Sequence, residues 1–134
     1  MITVRCHNIL YDDALRFVET EEGIVGIIVK GHAPVSGRED AKGHNLVCAA
    51  VSHAGATLVR SLVMVAGAQI TYRVDDGYLS ISMPIHSMKE ETRTKAETLI
   101  ESFLIGMLDL REKHGGSISI SCDTRYGGRQ YPAS

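Results

Sequence analysis

The chain has 134 residues, 14 of them basic and 16 acidic, for a formal net charge of −2. That length is most economically a single domain, large enough to bury roughly two-thirds of its unfolded surface in one core. The near-neutral balance lacks the basic excess on which non-specific nucleic-acid binders and membrane-surface proteins rely, so no nucleic-acid and no membrane partner is expected.

The N-terminus, Met1-Ile2-Thr3-Val4-Arg5, has neither the long apolar core nor the small-residue cleavage site of a signal peptide, and no apolar run approaches membrane-spanning length. Ile2, Val4 and Cys6 alternate with polar residues and predict a first strand. The apolar run Ile24 to Lys30 predicts a second, more buried one. Residues 33–43, with Pro34, Ser36, Gly37, Arg38, Glu39, Asp40 and Lys42, read as a loop. From Leu46 the spacing Leu46, Ala50, Ala54, Leu58, Leu62, joined by Val47, Val51 and Val65, predicts a helix ending near Gly67, whose small residues allow close packing on a sheet.

Ile70, Tyr72, Val74 and Leu79, Ile81, Met83 alternate on either side of Asp75-Asp76-Gly77, a strong hairpin signal. Ser87-Met88-Lys89-Glu90 has the form of a capping box. It opens a helix carrying Ala96, Leu99, Ile100, Phe103, Leu104, Met107 and Leu108 on one face. Arg111, Lys113 and His114, followed by Gly115-Gly116, suit its C-terminus. Ser117 to Cys122 alternates as a fifth strand. The order β-β-α-β-β-α-β predicts an α+β two-layer sandwich: a mostly antiparallel five-stranded sheet with two helices on one face. The expected domain covers residues 1–122, and 123–134 read as a flexible polar tail.

Cys6, Cys48 and Cys122 are odd in number and unpatterned in spacing, which argues against a disulfide framework and for a reducing, cytoplasmic location. Cys6 and Cys122 fall in predicted strands and read as inert core thiols. Cys48 differs. It follows Asn45-Leu46-Val47 at the start of the first predicted helix, and Gly31-His32-Ala33 stands at the other end of the loop. An imidazole and a thiol at the two ends of one loop are the parts of a cysteine nucleophile and its base. If Asn45 is the N-cap, Cys48 lies in the first helical turn, where the macrodipole favours a thiolate and the open amides, that of Cys48 included, are candidate donors to an oxyanion. His44 is a rival base, four residues before Cys48. Ser52, one turn beyond Cys48, either supports the thiolate or bonds back to the Cys48 carbonyl.

Gly31-His32-Ala33, a variable loop, then Val47-Cys48-Ala49-Ala50-Val51-Ser52 resembles the ribosomal-processing cysteine protease family Prp, and the order of elements fits over residues 1 to about 122. The family's Asp before the Cys is Asn45 here. The resemblance implies Cys48 as nucleophile and His32 as base, with Gly31, Asn45 and Ser52 supporting them. It also implies a cofactor-free homodimer that removes the N-terminal extension of a large-subunit ribosomal protein. The loop between His32 and Cys48 then reads as a lid over bound peptide. Two other classes remain open: a non-catalytic ribosome-associated module of the same fold, of which Asn45 would be the symptom, and a thiol-redox or metal-binding domain. For the latter His32, His44 and Cys48 are three potential ligands, but no fourth ligand or Cys-x-x-Cys joins them.

Overall fold

The computed structural model describes residues 1–11, 14–31 and 38–123. In chain order the elements are β1 (Ile2–His7), β2 (Ile9–Tyr11), β3 (Leu15–Phe17), β4 (Ile24–Lys30), α1 (Arg38–Met64), β5 (Thr71–Asp75), β6 (Tyr78–Pro84), α2 (Glu90–Lys113) and β7 (Ile118–Asp123). The main sheet has the order β5-β6-β4-β1-β7. All its ladders are antiparallel except β1–β7, which is parallel and closes one edge. The expected α+β sandwich is thus the observed class. A two-stranded β2–β3 sheet, absent from the expectation, is inserted between the first two main strands.

Strand alternation sends one face of the sheet to the core. Ile2, Val4 and Cys6 are buried with Val25, Ile27 and Val29, with Leu79, Ile81 and Met83, and with Ile118, Ile120 and Cys122. The opposite face carries Arg5, Lys30, Ser80 and Ser82. Both helices cover the apolar face, α1 through Val47, Val51, Leu58 and Leu62, and α2 through Ala96, Ile100, Phe103, Leu104 and Met107. Gly55 lets α1 approach closely, since a Cβ there would stand 2.6 Å from Leu79 Cδ2.

Helix ends depart from expectation. α1 begins at Arg38, eight residues before Leu46, so much of the expected loop is helical. Ser36-Gly37-Arg38-Glu39 has the spacing of a capping box and was a usable signal for that start. Leu46 and Val65, expected on the core stripe, are exposed at 67% and 55%. At the other end Ala68 N–H donates to Leu62 O at 2.9 Å with Gly67 at φ +67, the left-handed close expected of that glycine. α2 starts at Glu90 with Lys89 as an N-cap that makes no side-chain bond, so Ser87 is not the cap. Residues 85–88 form a turn instead, with Met88 N–H donating to Ile85 O at 3.2 Å. A missing cap costs about 1 kcal/mol, whereas each large side chain that α2 buries contributes about 1.5–3 kcal/mol, so packing decides the helix. Glu90 and Glu91 in its first turn offset the dipole.

The 19-residue stretch Leu46–Met64 is long and apolar enough to cross a membrane by length and composition. This corrects the expectation that none approaches that length. Its apolar residues are interrupted by Ser52, His53 and Arg60, and four of them are committed to the sheet core. β7 reaches Asp123; the rest of the expected tail lies outside the described residues.

Candidate active site

Three elements converge at one end of the sheet. β4 ends at Lys30, and Gly31 adopts φ +102, where an added Cβ would stand 2.3 Å from the backbone oxygen of Met1. Only glycine permits that turn. The Gly31 N–H donates to Gly77 O at 2.9 Å, which joins β4 to the tight turn between β5 and β6. Gly77 itself has φ +67, as the Asp-Gly hairpin signal anticipated.

Across this corner lies α1. Val47 and Val51 point into the core, and the intervening helical turn leaves Cys48 half-buried and Ser52 exposed. Cys48 and Ser52 line one cavity of about 140 Å³ together with Gly31, Ile2 and the hairpin residues 74–79. The sequence-predicted thiol, its neighbour one turn on and the glycine before His32 are therefore brought together. Asp75 and Asp76 add carboxylates to the same wall. Sequence reasoning took these two only as turn residues, because their place on the cavity depends on the β5–β6 and β4–β6 registers. Arg73 pairs with Asp75 at 2.6 Å and sits 5.3 Å from the centre of the Tyr78 ring, bracing the hairpin.

The N-cap role expected of Asn45 is corrected. α1 starts seven residues earlier, so Asn45 lies inside the helix and Cys48 ten residues in. The macrodipole falls off within the first turn and does not act on Cys48. The Cys48 amide faces its own i−4 carbonyl, so it is not an open oxyanion donor either. Helical spacing has a second consequence: positions 44 and 45 stand one turn before Cys48 on the same side of α1. His44, the rival base, therefore stands within α1 and not ahead of it.

His32 and the loop residues 32–37 lie outside the described residues, as does the metal reading that required His32. Among the described side chains no histidine lines the Cys48 cavity. His53 opens onto a groove between α1 and α2, and His7 and His86 sit at the opposite end of the sheet, beside Glu22 and Glu19.

Comparison with known proteins bears on the fold and the family. Among curated protein sequences no match is found. Among solved structures, SMU.848 from Streptococcus mutans is 24% identical with a TM-score of 0.63, covering 93% of this chain and 99% of its own. The essential ribosomal processing protease Prp from S. aureus, in complex with a covalently linked product peptide, is 20% identical with a TM-score of 0.62, covering 92% of this chain and 100% of its own. The same protease in complex with a substrate peptide gives 18% identity, a TM-score of 0.63 and the same coverage. At such identities the likeness is one of fold. The family model described as cysteine protease Prp matches residues 14–119, a span that holds Gly31, His32, Asn45, Cys48 and Ser52, and the chain belongs to that family.

Proposed function

We propose that this chain is a cysteine endopeptidase in which His32 takes the proton of Cys48 and the thiolate attacks a peptide carbonyl. The acyl-enzyme is then hydrolysed by water that His32 activates. The observation that carries the reading is the shared cavity of Cys48 and Gly31: the backbone delivers the residue before His32 to the wall of the thiol's own pocket. Ser52 on that wall supports the thiolate, and Asn45 acts as a hydrogen-bonding neighbour rather than as a cap. The substrate in this reading is the N-terminal extension of a large-subunit ribosomal protein, bound as an extended peptide. Family membership supports it, as do the peptide complexes of the S. aureus protease.

The working form is a cytoplasmic homodimer of one catalytic domain per chain. The support for a dimer is the apolar surface left open on α1 and the neighbouring edge strand: Val63 and Met64, with Tyr72 and Val74, line one groove and are each at least 49% exposed. Contiguous apolar exposure on this scale is a common mark of an interface. The decisive experiment incubates the purified chain with a synthetic peptide spanning the start of the host's ribosomal protein, beside the Cys48→Ala and His32→Ala variants. Cleavage by the unmutated chain alone is the expected result. Binding without cleavage would favour the ribosome-associated module, the reading to which Asn45 in place of the family's Asp points.

A further inference from the structure

The family reading leaves Cys6 and Cys122 without a role, yet the fold puts them side by side. They are Cα partners in the parallel β1–β7 ladder, and both are buried, at 1% and 3% exposure. As direct Cα partners with both side chains in the core, they project side by side to the same face of the sheet. Adjacent strands stand about 4.7–4.9 Å apart, inside the Cα separation of about 4.4–6.8 Å that a disulfide spans. β7 is an edge strand, so Cys122 lies on the rim strand of the sheet and Cys6 one strand in. It is also remote from the candidate active site: Ile2 marks the cavity end of β1, and four residues of strand, roughly 13 Å, separate it from Cys6.

We propose that Cys6 and Cys122 are an oxidisable thiol pair, which a peroxide converts to a disulfide that joins the first and last strands of the sheet. The two sulfurs have different parts. The hydrogen bond from Cys6 holds the Cys122 thiol below its ordinary range, helped by a backbone hydrogen bond from Tyr11 and opposed by burial. The same bond, then burial and the neighbouring charge, holds Cys6 well above it. Cys122 loses its proton to solvent and its thiolate attacks one peroxide oxygen. The O–O bond breaks, and the departing hydroxide takes up a proton to become water. The Cys6 sulfur then attacks the sulfenic sulfur of Cys122, the S–O bond breaks, and the leaving hydroxide carries off the Cys6 proton as a second water. Two thiols and one peroxide give one disulfide and two waters. The disulfide closes a loop reaching from β1 to β7, nearly the whole described chain, and long loops are those for which the unfolded chain loses most entropy.

The Cys48→Ala chain isolates the pair, because only Cys6 and Cys122 then remain. The folded variant is treated with hydrogen peroxide, quenched, unfolded and alkylated, and its intact mass, peptide map and melting temperature are compared with those of the reduced protein. The expected result is loss of the mass of two hydrogens, no alkylation, a Cys6–Cys122 cross-linked peptide, reversal by dithiothreitol and a raised melting temperature. Two alkylatable thiols after exposure, oxygen adducts on either sulfur, or cross-links only between chains would overturn the proposal. So would an oxidised form that melts no higher than the reduced one. None of these outcomes depends on peptidase activity.

Discussion

The N–H of Gly31 donates to the carbonyl oxygen of Gly77 at 2.9 Å, and that bond ties the end of β4 to the hairpin turn on the wall of the Cys48 cavity. Gly31 holds φ +102 with its missing Cβ directed at the Met1 oxygen. Gly31→Ala should therefore destabilise the protein by about 1–3 kcal/mol from backbone strain, with the clash against Met1 added to it. It should also slow alkylation of Cys48 or abolish cleavage by displacing the wall. A melt and a cleavage assay on the same sample check both, and an unshifted melt would show that this corner relaxes freely.

Cys48→Ala should lose several orders of magnitude in peptide cleavage while leaving the fold intact. The sulfur is half-buried on a helix that keeps its core contacts through Val47 and Val51, and alanine is the better helix former. Turnover of the extension peptide together with far-UV circular dichroism tests the pair of statements. Retained turnover would remove Cys48 from the nucleophile's role.

For the base, His32→Ala should reduce cleavage by about 10²–10⁴-fold, the range a general acid–base group supplies. His44→Ala should have a small effect. The helix now runs through position 44, one turn before Cys48, so the comparison is a real contest rather than a control. Iodoacetamide reactivity at neutral pH, measured on both variants, separates loss of the base from loss of the fold. A large loss for His44→Ala alone would transfer the role.

What could be read from residues and what could not divides along physical lines. Ile24–Lys30 was legible as a continuous apolar run, and the Asp75-Asp76-Gly77 hairpin from period-two alternation and turn chemistry; these are local properties, as was the buried face of α2. β2 and β3 were missed because strands of three residues leave no alternation to count. The early start of α1 was hidden by Gly37 and Gly43 amid charges, although Ser36 and Glu39 stood at capping-box spacing. The parallel β1–β7 pairing joins the two ends of the chain, so no local pattern announces it. The nearness of Cys6 to Cys122 and the place of Asp75 and Asp76 beside Cys48 are consequences of register alone.

Asn45 is where the structure reverses an expected sign. As an N-cap its replacement by alanine would cost stability. Inside α1 there is no cap to lose, and alanine exceeds asparagine in helix propensity, so Asn45→Ala should be neutral or stabilising by about 0.5 kcal/mol. Its activity should nonetheless fall if the amide orients an imidazole, as a side-chain amide does in papain-like sites. Asn45→Asp offers the same hydrogen-bond acceptor with a charge, and its rate should stay within tenfold of the unmutated chain. Melts and rate against pH for the three proteins test this. An Asn45→Ala melt lowered by more than the change expected for about 1 kcal/mol would restore the cap, and an Asp variant faster by tenfold or more, about 1.4 kcal/mol in the barrier, would show that charge at this position limits the reaction.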